Sequence, residues 1–212
     1  MKFLASVLFG IGLLQSSTIA LAQVNFAATW DFQGAGTVDL SSTQLADTSG
    51  YNVVLSPAVV SSAWHSTTLG SSQAVSFDAY NPGEYVEFTI DVDAGATLLI
   101  DTISFTQTSA GPGAATDWEI RSDADGYATV LRTGTTSSSG TGSVETENGL
   151  GLASAGNSLT FRILGTGGGG DQFAGFAVAN VYVTGTAVPE PSGLASLGGL
   201  LVFLTLGLRR RR

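Results

Sequence analysis

Short runs of alternating apolar and polar residues fill the middle of the chain. Residues 86–92 place Val, Phe, Ile and Val at every second position, with Glu, Thr and Asp between them. Residues 117–121 and 159–163 repeat this period of two. The period predicts β-strands with one buried face, and turn residues such as Asn81-Pro82-Gly83 and Asp125-Gly126 separate the predicted strands.

This patterning extends through residues 23–187, where no segment shows a convincing helical period. About ten short strands with turns between them predict an all-β fold, an antiparallel β-sandwich. The span is long enough for one domain, which would bury about 70% of its unfolded surface. Within it, residues 137–143 have the low-complexity sequence Ser-Ser-Ser-Gly-Thr-Gly-Ser, which predicts a flexible surface loop.

The N-terminal residues 1–22 follow a different pattern, with a basic start, an apolar middle and small residues at the end. Lys2 supplies one positive charge, and residues 3–14 are largely apolar but too short for an ordinary spanning helix, which needs about 20 residues. Ala20 and Ala22 are small residues of the kind that a signal peptidase accepts beside its cut. Together these parts predict a secretory signal peptide that is cleaved after Ala22.

The C-terminus combines an uncharged segment, residues 193–208, with four arginines, Arg209, Arg210, Arg211 and Arg212. As a helix the segment would span about 24 Å, against a hydrocarbon core of about 30 Å. This mismatch is tolerable because arginine side chains reach the head groups and the bilayer thins locally. The pattern predicts a short transmembrane helix whose arginines stay in the cytoplasm while the rest of the chain lies outside.

Pro189-Glu190-Pro191 stands just before this segment. The tripeptide, the apolar helix and the terminal arginines together resemble the PEP-CTERM sorting signal of Gram-negative bacteria. The resemblance covers residues 188–212 and implies processing by an exosortase, a membrane-embedded cysteine protease that recognises the tripeptide. It also implies an inner-membrane stage, delivery to the cell surface or extracellular matrix, and exopolysaccharide as a partner. A plain tail anchor would explain the helix and the arginines but not the tripeptide.

Several short motifs between the two ends resemble a recurrent ectodomain of such sorted proteins. They are Trp30-Asp31-Phe32, residues 118–127, Thr160-Phe161-Arg162 and residues 179–185. Those ectodomains resemble jelly rolls, so the resemblance implies a jelly-roll arrangement of the predicted sandwich. The predicted organisation is a signal peptide (1–22), a β-sandwich ectodomain (23–184), a linker with the Pro-Glu-Pro motif (185–192), a transmembrane helix (193–208) and a cytoplasmic arginine cluster (209–212).

Charge narrows the partners that residues 23–187 could take. Of the 17 acidic residues only Glu190 lies outside this span, and of the 8 basic residues only Arg121, Arg132 and Arg162 lie inside it. The formal charge of the span is therefore −13, and it contains no lysine. A surface this acidic repels a phosphate backbone, so nucleic acid is excluded as a partner.

Residue types also exclude several kinds of chemistry. The chain has no cysteine, which removes thiol catalysis, cysteine metal sites and disulfides. His65 is the only histidine, so a zinc site would lack nitrogen ligands. A catalytic triad would need His65 beside a nucleophile, yet the chain has no G-x-S-x-G motif. His65 is therefore interpreted as a strand or loop residue.

Pairs of carboxylates leave a glycoside hydrolase as an alternative, since that chemistry needs two acids about 5–10 Å apart. Asp91 and Asp93 are two residues apart, as are Glu145 and Glu147, and on strands each pair would share a face. A solvated strand face explains the same residues without chemistry. The sequence therefore favours a non-enzymatic protein and keeps a glycosidase as the lesser alternative.

Asp123 and Asp125, followed by Gly126, have the spacing with which acidic calcium loops often begin. The EF-hand pattern fails, because Arg121 and Arg132 stand where its first and last ligands should be. Asp123 and Asp125 are nevertheless candidate Ca²⁺ ligands, with further oxygens required from other loops. The alternative is a plain Asp-Gly turn between two strands.

An exported all-β domain without a catalytic signature supports two hypotheses from different classes. The first is a non-enzymatic surface or matrix protein, delivered by the two terminal signals. The second is a carbohydrate-binding module, in which sugars stack on exposed aromatic faces. The available rings are those of Trp64, Tyr80, Tyr85, Trp118 and Tyr127. An exposed, coplanar pair among them would favour the second hypothesis.

Overall fold

The computed structural model describes residues 23–33, 43–46, 53–61, 64–77, 84–111, 113–154, 156–169 and 175–189. The side chains of residues 43–46, Trp64, His65 and Pro189 are outside this description. So are the predicted signal peptide, the transmembrane helix, the arginine cluster, and Glu190 and Pro191 of the sorting motif. Within the described ranges, no helix is long and apolar enough to cross a membrane.

The described residues form fourteen β-strands and a single 3₁₀ turn at Asp123–Asp125. The strands are β1 (Val24–Trp30), β2 (Thr43–Ala46), β3 (Val53–Leu55), β4 (Val59–Val60), β5 (Trp64–Leu69), β6 (Ser72–Phe77), β7 (Tyr85–Val92), β8 (Ala96–Ala110), β9 (Asp117–Ser122), β10 (Arg132–Thr135), β11 (Ser143–Glu147), β12 (Leu152–Ala153), β13 (Ser158–Thr166) and β14 (Gly175–Pro189).

Two sheets face each other, and neighbouring strands are antiparallel wherever they pair. Sheet A has the order β11-β8-β14-β1-β2, with β12 also on β8, and β6 joining β5 to β14. Sheet B has the order β10-β9-β13-β7-β3, with β4 also on β7. The predicted all-β class and antiparallel β-sandwich are thus confirmed.

Eight principal strands carry the topology, namely β1, β7, β8, β9, β10, β11, β13 and β14. Numbered one to eight along the chain, they give the order one-eight-three-six in sheet A and two-seven-four-five in sheet B. This interleaved order is the arrangement of a jelly roll. The remaining strands extend the two sheets.

The core lies between the sheets, where alternation along each strand places the apolar side chains. Trp30 of β1 meets Phe88 and Phe161 of sheet B edge-on, with ring centroids 5.0 and 6.1 Å apart. Phe105 of sheet A meets Trp118 of sheet B in the same way, at 5.1 Å. These rings are almost completely buried, so aromatic contacts between the sheets form the centre of the core.

The domain continues beyond the predicted boundary at Thr184. Gly185 to Pro189 are residues of β14 and pair with β8, ending with Pro189 opposite Ala96. Residues 185–189 are therefore strand rather than linker, which corrects the predicted boundary. Glycine and threonine gave this stretch the composition of a linker, but ladder hydrogen bonds from neighbouring strands override such a weak local preference.

Candidate functional site

Arg162 of β13 lies at the centre of a polar and aromatic cluster on the outer face of sheet B. Its Nε donates a hydrogen bond to Glu87 Oε2 at 2.8 Å, and the hydroxyl of Tyr127 donates to the same oxygen at 3.2 Å. Its guanidinium carbon lies 3.9 Å from the ring centroid of Tyr85 and 3.6 Å from that of Tyr127. We call these four residues the Arg162 cluster.

The strand register explains why these residues meet. Arg162 stands opposite Glu87 on one side and Arg121 on the other, so all three side chains share the outer face. Arg121 donates to Glu119 Oε2 from Nε at 2.9 Å and from Nη2 at 2.7 Å, and its Nη1 donates to the Tyr127 carbonyl at 3.1 Å. Two arginines thus hold the Tyr127 segment onto the sheet by charge-assisted and cation–π contacts.

Tyr127 titrates abnormally in this position. Burial raises the pKa of Tyr127 to about 12, the Glu87 carboxylate adds to the rise, and the Arg162 charge opposes it. An unfolded chain releases the tyrosine proton near pH 10, so the folded state holds it more tightly. The resulting stabilisation is fully present below about pH 10 and disappears as the pH rises towards about 12.

We therefore expect the free energy of unfolding to fall between about pH 10 and about pH 12, and to fall less in Tyr127→Phe. Residues 23–187 contain no lysine, so no ammonium group of this span titrates in the same window. Urea denaturation across this range would measure the effect. The matched control is Tyr182→Phe, the same change at an exposed tyrosine of β14 in sheet A. An unchanged pH dependence in Tyr127→Phe would contradict the assignment.

The candidate calcium ligands lie on the 3₁₀ turn that precedes Tyr127. Asp125 accepts hydrogen bonds from the backbone N–H groups of Ala128 at 3.2 Å and Thr129 at 2.9 Å, and Asp123 accepts one from the N–H of Thr160 at 3.0 Å. Hydrogen bonding from Thr129 is the main cause that lowers the pKa of Asp125.

These contacts fit the Asp-Gly turn that the sequence offered as the alternative, with Gly126 at a left-handed φ of 69°. Among the described residues, no group of three or more histidine, cysteine, aspartate or glutamate side chains could hold a metal ion. Calcium binding by Asp123 and Asp125 therefore stays a prediction that needs oxygens from elsewhere.

One carboxylate pair of the glycosidase alternative, Glu145 and Glu147, lies on the edge strand β11 of sheet A. Glu147 of β11 forms an ion pair with Arg132 of β10 at 3.3 Å, and Glu145 accepts a hydrogen bond from Gln107 Nε2 at 3.0 Å. Since β11 belongs to sheet A and β10 to sheet B, the Arg132–Glu147 pair bridges the two sheets. Structural contacts thus account for Glu145 and Glu147.

The aromatic rings that were available for sugar stacking are buried or contact Arg162 where the structure describes them. Trp118 is only 1% exposed, and the rings of Tyr85 and Tyr127 both contact the guanidinium group of Arg162. Trp64 and Tyr80 have side chains outside the described part of the chain. Burial therefore removes Trp118 as a sugar platform, and Arg162 occupies one face of each tyrosine ring.

Tyr182 is an exposed aromatic residue that the sequence analysis did not single out. It lies on β14, a central strand of sheet A, and 40% of its surface is exposed. The signal was present in the alternation of Val181, Tyr182 and Val183, because both valines are fully buried and tyrosine must then face outward.

A groove of about 550 Å³ lies on the outer face of sheet A and is lined by Thr184, two residues along β14 from Tyr182. Its lining includes Asn25, Ala27, Asp101, Thr184, Gly185 and Thr186. Thr184 stands opposite Ala27, and Thr186 stands opposite Asn25, across β14 and β1. Asp101 joins them at a shift of register, where Thr184 pairs with Thr102 but Gly185 pairs with Ile100. Such a bulge turns an extra side chain towards a neighbouring surface.

The outer face around this groove carries little charge. The outward positions of β1, of β8 up to Ser104 and of the second half of β14 hold mostly threonine and small or apolar residues. Asp101 is the only charged residue among these described positions. This neutrality contrasts with the formal charge of −13 of residues 23–187.

Comparisons with known proteins give weak similarities of fold. No family model matches the chain, and no curated protein matches it. The C-terminal CBM6 of the laminarinase LamC from Zobellia galactanivorans is similar at 12% identity and a TM-score of 0.38, over 63% of this chain and 99% of that one. The carbohydrate-binding module CBM6cm-2 of Cellvibrio mixtus lichenase 5A is similar at 13% identity and a TM-score of 0.37, over 59% and 88%.

A family two carbohydrate esterase from Cellvibrio japonicus is also similar, at 10% identity and a TM-score of 0.36. That match covers 67% of this chain but only 36% of the esterase. Similarities at such low identity and TM-score carry no argument about function. The class that the strands themselves define is an antiparallel β-sandwich of jelly-roll order.

Proposed function

We propose that this chain is an exported, non-enzymatic protein that a PEP-CTERM signal delivers to the cell surface or extracellular matrix. Its partners in delivery are signal peptidase and an exosortase, and its destination brings it into contact with exopolysaccharide. The proposal rests on the composition and order of the two terminal segments, residues 1–22 and 188–212.

The placement of the domain's ends is the geometric observation that supports this proposal. Val24, next to the predicted cleavage site, pairs with Ala187, just before the sorting motif. The signal peptide and the sorting segment are thus joined to adjacent strands at one end of the sandwich. A precursor attached to the membrane by either segment would present the same end of the domain to the bilayer.

The position of Pro189 brings the sorting motif close to the folded domain. Pro189 is the last residue of β14, so Glu190 follows the strand directly. A proline fits at a strand end, where its missing N–H removes no further ladder bond. Proline also restricts its own φ and the residue before it, so Glu190 between Pro189 and Pro191 would be presented on an extended backbone.

The motif can be tested separately from the anchor. We expect Glu190→Ala to leave membrane insertion intact, because the apolar helix and the arginines supply insertion and orientation. A protease that reads the tripeptide would lose a required carboxylate, so uncut precursor should accumulate in the inner membrane. Membrane fractionation and immunoblotting in the native host would measure this, with Val188→Ala as the matched control.

Deletion of Arg209 to Arg212 should have a different result, since it removes the positive charge that orients the helix. Retention and orientation would then fail, whereas the tripeptide would stay intact. Normal processing and localisation of Glu190→Ala would mean that the tail is only an anchor, and the proposed sorting would be wrong.

A further inference from the structure

We infer that the outer face of sheet A binds a neutral polysaccharide chain along β14, with Tyr182 as the stacking platform. The binding surface consists of Tyr182, Thr184 and Thr186 on β14, Asn25 on β1 and Asp101 on β8; we call it the Tyr182 surface. The inference deepens the proposed function, since exopolysaccharide is what a protein delivered to the matrix would meet.

Tyr182 has the position and exposure that a sugar platform needs. It lies on a strand with neighbours on both sides, opposite Thr29 of β1 and Ser104 of β8, so its ring projects from the middle of the sheet. With 40% of its surface exposed, it offers an apolar ring face and a polar hydroxyl tip. The apolar C–H face of a sugar could stack on this ring while its hydroxyl groups reach the flanking polar side chains.

The groove extends this platform along the strand. Thr184 and Thr186 are the next two outward positions of β14, and at about 3.3 Å per residue Thr186 lies about 13 Å from Tyr182. The groove volume of about 550 Å³ is in the range of ligand-binding clefts. A linear chain of sugars could therefore contact the ring and the groove at the same time.

The polar groups of the groove suit hydroxyl groups as ligands. Thr184, Thr186 and Asn25 can each donate and accept hydrogen bonds, and the exposed carboxylate of Asp101 accepts them. The hydroxyl of Thr102 lies 3.3 Å from Asp101 Oδ2 and 3.1 Å from Asn148 Oδ1, so its single proton is shared between these two acceptors. An ionised carboxylate accepts stronger hydrogen bonds than a neutral oxygen, so Asp101 would orient a sugar hydroxyl.

The charged residues of the domain favour a neutral glycan over an acidic one at the Tyr182 surface. The three arginines of residues 23–187 are all paired elsewhere, Arg121 with Glu119 at 2.7 Å, Arg162 with Glu87 at 2.8 Å and Arg132 with Glu147 at 3.3 Å. None remains to neutralise a uronate or sulfate group, and Asp101 would repel either. The formal charge of −13 likewise opposes a second copy of the chain as the occupant.

The test is binding of the purified full-length protein in detergent to an array of neutral and uronate-containing oligosaccharides. The neutral probes are gluco-, manno-, galacto- and xylo-oligosaccharides. We expect wild type to bind at least one neutral class and Tyr182→Ala to lose about tenfold in affinity or more. The matched control is Val144→Ala, which truncates a side chain that is 69% exposed on the edge strand β11 of the same sheet.

A second variant, Thr184→Arg, tests the same surface in case Tyr182→Ala does not fold. Thr184→Arg keeps the ring of Tyr182 but fills the groove, so it should weaken the same neutral probes while circular dichroism stays that of wild type. Binding only to uronate probes, neutral binding unaffected by both variants, or no binding at all would each overturn the inference. A dimer that Tyr182→Ala converts to monomer would instead assign the surface to a second copy.

The array tests the Tyr182 surface and the sorting experiment tests the proposed function, so each proposal can be refuted without the other. A protein that binds neutral glycan through Tyr182 but is processed normally as Glu190→Ala would refute the proposed sorting alone. A protein that is sorted as proposed but binds no neutral glycan would refute the Tyr182 surface alone.

Discussion

Trp30→Ala is expected to lower the free energy of unfolding by about 3–5 kcal/mol, the usual cost of truncating a buried tryptophan. Trp30 is completely buried and contacts two rings of the opposite sheet, those of Phe88 and Phe161. Its Nε1 also donates a hydrogen bond to the carbonyl of Ser56 at 3.0 Å. The change would therefore remove inter-sheet packing and leave the partly buried carbonyl of Ser56 with one partner fewer.

Denaturant unfolding followed by circular dichroism would measure this loss. Trp30→Phe should cost less, because it keeps an aromatic ring between the sheets and loses only the indole N–H and part of the ring volume. Val144→Ala on an exposed position should stay within about 0.5 kcal/mol of wild type. A native-like midpoint for Trp30→Ala would show that the two sheets do not pack through this ring.

The sequence predicted those strands whose faces differ most in polarity. The period of two at residues 86–92, 117–121 and 159–163 corresponds to β7, β9 and β13, which pack one face on the core and turn the other to solvent. Since β7, β13 and β9 are neighbours in sheet B, the clearest patterns all came from one sheet. Binary patterning was sufficient there because the outward positions of these strands carry polar side chains, among them Glu87, Arg121 and Arg162.

The two long strands of sheet A could not be predicted in this way. The strands β8 and β14 each have 15 residues, and shifts of register between them interrupt the period. Residues 105–109 of β8 are also buried on both faces. Residues 137–143 cover part of this outer face, where the Thr108 hydroxyl lies 2.9 Å from the carbonyl of Ser137 and 2.8 Å from that of Ser139 and can donate to either.

The candidate sites depended on contacts between residues far apart in the chain. Tyr85 and Tyr127 were only two of the rings available for stacking, because no residue near them in sequence indicates a partner. Arg162 reaches both from a strand that register alone brings between them. The same non-local pairing places Asn25, Asp101 and Thr186 around one groove. Side-chain chemistry could be read from the sequence, but these juxtapositions required the fold.

Gly185→Ala tests whether residues 185–189 form the end of β14 or a linker. In a linker this change would be close to neutral, whereas on β14 a Cβ at Gly185 would lie 2.4 Å from the carbonyl oxygen of Leu99. It would also lie 3.0 Å from two ring atoms of Phe26. A backbone carbonyl held in a ladder cannot rotate away as a side chain would, so the strands themselves would have to shift.

We expect Gly185→Ala to cost about 3 kcal/mol, the upper part of the usual range for overpacking. Gly140→Ala is the matched control, since a Cβ there would have no neighbour within 4 Å and should change stability by less than about 0.5 kcal/mol. Thermal and denaturant unfolding of both variants would measure the difference. Equal stability would return residues 185–189 to the linker. It would also remove this part of β14 from the groove, because Gly185 lines the groove.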